Sequence, residues 1–138
     1  MNVVAVTLAA VLSLIALLHL YWSIRGVVPN VSVPSHADGS PVIRPGRAAS
    51  LAVALALVLA AVIVLGRAGL WDVGLPSVLL RLGTWAIAAV FAARTIGEFR
   101  YVGLFRRVRD TPFARWDTWL FTPLCVGLAV AAAAIATA

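Results

Sequence analysis

Apolar side chains fill four stretches of the chain, and proline, glycine and charged residues gather between them. Each stretch is roughly 20 residues long, about what an α-helix needs to cross the hydrocarbon core of a bilayer. The pattern predicts helices over residues 3–24, 48–65, 77–99 and 117–137, within a single membrane domain covering 1–138. The expected fold is therefore all-α: an integral membrane four-helix bundle.

The first span contains one side chain that titrates near neutrality, His19, and ends on Tyr21, Trp22 and Arg25-Gly26. Amphipathic rings at that position suit the headgroup level. With no basic region ahead of it and no small-residue cleavage site behind it, the segment reads as a retained helix. The second span has no charge, and Ala52, Ala56 and Ala60 lie four residues apart, a spacing of small residues that lets another helix approach closely. The third differs in holding Arg81, Arg94 and Glu98, groups that must snorkel, pair or line a polar cavity. Arg81 is expected to snorkel. In the fourth, Asp117 is placed as the N-cap and Pro123 as a kink, while Thr122-Pro123 offers an alternative start.

Two connections carry information. Segment 26–46 contains Pro29, Pro34, Pro41 and Pro45 and cannot sustain helix. Its valines and Ile43 give it groups to bury, so it is expected to cover one end of the bundle rather than move freely. Segment 97–116 places Phe99, Val102, Phe105 and Val108 at near-helical spacing among Arg100, Arg106, Arg107 and Arg109. This predicts an amphipathic piece lying in the membrane interface, broken by Asp110-Thr111-Pro112.

Composition sharpens the picture. With 63% hydrophobic and 12% charged residues and a mean hydropathy of +1.04, a water-soluble monomer is excluded. The 11 basic residues, all arginine, against 5 acidic ones give a net charge of +6. Beside membrane-length segments such charge points to anionic lipid headgroups, and no nucleic-acid module has room to form. Arg100, Arg106, Arg107 and Arg109 are the candidate headgroup contacts. The first and third connections hold 8 arginines, Arg25, Arg44, Arg47, Arg100, Arg106, Arg107, Arg109 and Arg115, which predicts that both are cytoplasmic and that the termini lie outside. The absence of lysine beside abundant alanine, arginine and valine looks like a GC-rich bacterial coding bias, so a bacterial membrane is expected.

That topology brings His19, Arg94, Glu98 and Asp117 to one depth. Arg94 and Glu98, four residues apart, are expected to pair on one helix face, with His19 free to bond Glu98, Asp117 or a carbonyl. The candidate ligand-binding set is His19, Tyr21, Trp22, Arg94, Glu98, Tyr101 and Asp117, and His19 and Glu98 are the candidate catalytic groups. Each also has a structural reading: an interhelical hydrogen bond for His19, a clamp for Arg94 and Glu98, a cap for Asp117. No metal or cofactor is expected. A second axial histidine for haem is missing from the spans, and Cys125, the single cysteine, neither forms a disulfide nor anchors a zinc site. Phosphate-cradling glycine motifs and nucleophile elbows are absent as well, and the first span lacks the acidic residue of a small proton-coupled exporter.

The segments HLYWSIRG and RTIGEFRYVGLFRRVRDTPFARWDTWLFTPLC resemble a family of small bacterial four-helix integral membrane proteins known only as a domain of unknown function. The resemblance implies an inner-membrane bundle whose motif residues, His19, Tyr21, Trp22, Arg94, Gly97, Glu98, Gly103, Phe113, Asp117, Pro123, Leu124 and Cys125, share one site. It brings no activity with it. The favoured expectation is binding of a lipid, a small amphiphile or a membrane partner at the polar cytoplasmic end. The alternatives are an enzyme on a lipophilic substrate using His19 or Glu98, and a homo-oligomeric transporter subunit.

Overall fold

A computed structural model describes all residues, Met1–Ala138. The chain folds into four helices long and apolar enough to cross a membrane: α1 (Asn2–Arg25), α2 (Arg47–Arg67), α3 (Ser77–Ile96) and α4 (Pro112–Thr137). It is an all-helical multi-pass membrane protein. The principal packing pairs are α1 with α2 and α3 with α4, and contacts of α2 with α3 and α1 with α4 close the ring.

The bundle is built with small residues inside and large ones outside. Ala5, Ala9, Ala60, Ala61, Ala88 and Ala132 are buried with Leu8, Leu12, Val64 and Leu128, whereas Leu14, Leu17, Leu55, Leu82 and Val90 face outward. Lipid solvates leucine as well as protein does, so close backbone approach, and not water exclusion, decides which face turns inward. On α2 that face is Ser50, Ala54, Ala61 and Val64, with Leu57 partly buried between them. The expected stripe of Ala52, Ala56 and Ala60 is corrected in part: Ala60 is buried, while Ala52 and Ala56 are exposed. A strict four-residue repeat drifts around a helix, and the observed alternation of four and three residues stays on one face.

Helix boundaries follow their local chemistry. Gly26 closes α1 in the left-handed conformation, its N–H donating to the Trp22 carbonyl. Pro76 precedes α3 and accepts from the Leu79 and Leu80 amides. The third helix stops at Ile96, short of the expected residue 99, because Gly97 turns the chain with φ +79°. The fourth begins at Pro112, five residues ahead of the expected Asp117. Thr111 is its N-cap, accepting from the Ala114 amide at 3.0 Å, and Pro112 takes the first helical position, where a missing N–H costs nothing. Asp117 therefore lies inside the helix, at the start of a wide π-turn, Asp117–Phe121, that absorbs the disruption of Pro123 without ending the helix.

The expected amphipathic helix over 97–116 is not present. Its first fifteen residues are turns and bends leading into α4. The chain doubles back so tightly that a Cβ on Gly97 would stand 1.8 Å from the Val102 carbonyl oxygen, and one on Gly103 would stand 2.6 Å from that of Ile96. Leu104 donates to the Thr95 carbonyl across this crossing at 2.9 Å. Two glycines six residues apart, both at positive φ, override the hydrophobic periodicity.

The first connection is an ordered cap. A 3-10 turn over Asn30–Ser32 leads to a small hairpin in which Val42 donates to the Pro34 carbonyl and His36 to that of Ser40, both at 2.8 Å. Val33 and Ser35 are buried, and the 3-10 turn packs on the start of α4, so the first and third connections cover the same end of the bundle.

The crossing sets a clear expectation for substitution. Gly103→Ala should destabilise the protein by about 3 kcal/mol or more, through left-handed strain and the clash with backbone. Gly127→Ala, in open space on α4, should be neutral or stabilising by up to ~1 kcal/mol. Thermal unfolding in detergent micelles measures both.

Candidate functional site

The polar centre of the protein is Asp117. Its side chain is fully buried, and both carboxylate oxygens are engaged. Oδ1 accepts from Arg94 Nη2 at 2.7 Å, and Oδ2 accepts from the Gly103 amide at 2.9 Å and from Arg106 Nη1 at 3.1 Å. The last turn of α3, the glycine crossing and the first turns of α4 thus converge on one side chain. The π-turn begins at this residue, and the helix runs on to Thr122, whose amide donates to the Asp117 carbonyl.

Arg106 closes the arrangement. It is 6% exposed, and its Nη1 also donates to the Gly103 carbonyl at 2.7 Å, so the guanidinium and Asp117 together take both polar groups of one glycine. Nη2 donates to the Ala114 carbonyl at 2.9 Å and to the Thr118 hydroxyl. The expectation that Arg106 faces lipid headgroups is corrected: the chain reversal at Gly103 carries it inward onto the carboxylate. Arg100, Arg107 and Arg109 are exposed, and the Arg100 guanidinium lies 5.1 Å from the centroid of the Tyr101 ring.

The four groups expected at a common depth separate into two that meet and two that do not. Arg94 and Asp117 pair. Glu98 lies beyond the end of α3, so the expected Arg94–Glu98 contact along the helix has no geometry to support it. Glu98 is exposed and accepts from the amides of Tyr101 and Val102, bracing the turn from within. His19 is half-buried. Its Nδ1 bonds the Ile15 carbonyl of its own helix at 2.9 Å, and its ring packs edge-on against Trp22 at 4.9 Å. Tyr21 is exposed.

Tyr101 instead joins the two connections. Its hydroxyl lies 3.1 Å from His36 Nδ1, and the two rings meet at right angles with centroids 5.6 Å apart. The sequence names Gly103 only among the motif residues of the resemblance, and it does not single out His36, Thr111 or Thr118 as parts of the site. The Thr111-Pro112 capping signal is readable, although the pattern around it suggests only a break, and nothing local links His36 to Tyr101, 65 residues away.

The electrostatic balance of the centre is uneven. Two guanidiniums share one carboxylate, leaving one positive charge in surplus. Arg94 Nη1 and Arg106 Nε are buried without partners, and the Arg94 side chain as a whole is 30% exposed. Arg106 is committed to backbone and carboxylate, whereas Arg94 spends one nitrogen on Asp117. No three His, Cys, Asp or Glu side chains cluster in metal-binding geometry.

Removing the shared carboxylate should expose how much depends on it. Asp117→Ala strands two guanidiniums and the Gly103 amide, and should cost about 3–5 kcal/mol. Asp117→Asn keeps an acceptor for one partner and should cost less. Denaturant titration in mixed micelles compares the two.

No curated protein and no solved structure matches the chain significantly. Residues 12–132 match the family described as protein of unknown function (DUF3995), and the chain belongs to that family.

Proposed function

We propose that this membrane protein binds the anionic headgroup of a membrane amphiphile at the end of the bundle where the first and third connections meet. The observation that carries the reading is the surplus positive charge beside Asp117, on an Arg94 whose side chain is partly exposed and whose buried Nη1 has no partner in the protein. A cation held in surroundings of low dielectric draws a counter-anion, and phosphate or carboxylate headgroups are the anions abundant at that depth. A guanidinium that gives one edge to a protein carboxylate keeps other donors for such a group.

The surroundings suit this role. Arg100, Arg107 and Arg109 are exposed on the same connection and add attraction for an anionic surface. Under this proposal the first and third connections face the cytoplasm, as their arginines favour. Catalysis draws less support, because His19 and Glu98, its candidate acid and base, each bond backbone in separate places. Transport draws less still: the bundle interior is packed with alanine, leucine and valine.

Native mass spectrometry after extraction in mild detergent tests the reading. The parent protein should retain an anionic lipid. Arg94→Gln should lose it, Arg94→Lys should retain part of it while keeping a partner for Asp117, and His19→Ala should retain it in full. A consistently empty parent, or unchanged retention in a folded Arg94→Gln variant, contradicts the proposal.

A further inference from the structure

The first connection encloses a second feature that the Asp117 centre does not use. Between its two limbs lies a cavity of about 350 Å³, with Val27, Val28, Val33 and Ile43 on its walls and Arg44 among its lining residues. Val33 is 4% exposed, which makes the floor a built part of the fold. A second cation lies at the rim: a Cβ on Gly26, itself a lining residue, would fall 2.6 Å from Arg47 Nε, so the Arg47 side chain covers that glycine.

No acidic residue lines the cavity. The one carboxylate of the connection, Asp38, sits at the hairpin tip, where its Oδ1 accepts from the Ser40 hydroxyl at 2.6 Å and the Ser40 amide at 2.9 Å. Those bonds hold its carboxyl below the ordinary carboxylate range and turn it onto its own loop instead of toward Arg44. Four prolines and the hairpin hydrogen bonds fix the walls, so little ordering entropy is lost when a ligand enters.

The geometry points to this cavity as a binding site for a single-tailed amphiphile with a monoanionic head, a medium-chain fatty-acid carboxylate, its tail against Val27, Val28 and Ile43 and its head on Arg44. Valine and isoleucine walls with one lining cation, Arg44, and no competing acid select such a molecule over a neutral or cationic one. The volume lies near the lower end of the ~300–1,000 Å³ typical of small-molecule sites, which suits one short tail and not a two-chain phospholipid. Arg94 takes no part in this site, so the inference stands or falls separately from the headgroup contact proposed above.

The test is saturable binding of carboxyl-labelled decanoate to the full chain in phosphatidylcholine nanodiscs, read by NMR above the protein-free nanodisc baseline. Decanoate should bind, and decanol and decyltrimethylammonium should not. Arg44→Gln should weaken binding about tenfold, as expected for one charge-assisted contact. Ile43→Glu, at an exposed wall position that leaves the fold intact, should abolish it. Arg115→Gln removes an equal charge from the same end of the bundle and should change nothing. Equal binding of decanol, equal losses in Arg44→Gln and Arg115→Gln, or displacement of decanoate by phosphatidylglycerol would each overturn the inference.

Discussion

A carboxylate withdrawn from water costs several kcal/mol unless cations and amides replace its hydration, and Asp117 is withdrawn completely. Its three partners come from two parts of the chain: Arg94 from the last turn of α3, and Gly103 and Arg106 from the third connection. Meeting the needs of this one group therefore fixes where α3 ends, how the third connection folds and how α4 is set against α3. The glycines at 97 and 103 are what allow the backbone to come close enough.

The rest of the bundle follows a different logic. Along the four spans the inward faces are lined by small residues, and the outward faces carry the large aliphatic ones that lipid solvates. Such packing holds helices together by close contact but discriminates weakly among neighbours. The polar centre at one end supplies directional bonds, and the proline-rich first connection packs against the same end through its 3-10 turn and through His36 and Tyr101. Architecture and candidate chemistry thus share a location: the bonds that pin the connections also leave one guanidinium with donors to spare.

The four spans were legible because hydropathy and length are local properties, read within one window of sequence. The site was legible only in part. Arg94 and Asp117 stood out as charges beside apolar runs, and they do meet. Helical periodicity carried past Gly97 puts Glu98 on α3 when the chain has already turned, and the amphipathic pattern points Arg106 to lipid where two glycines reverse the chain. Asp117 looks like a cap only as long as Thr111-Pro112 counts as a break; those two residues start α4. In each case a short-range backbone constraint outweighed a periodic pattern. The pairing of His36 with Tyr101 depends on how two distant connections fold together, and no local rule announces it.

The most direct test of the claim that Asp117 organises this end of the protein is amide hydrogen exchange at Gly103, measured by NMR in lipid. The Gly103 amide belongs to a turn outside every helix, so protection there has to come from the buried carboxylate that accepts it. The account predicts slow exchange at Gly103 in the native protein and fast exchange in Asp117→Ala, with the amides in the middle of α1 and α2 still protected. Fast exchange at Gly103 in the native protein would contradict it.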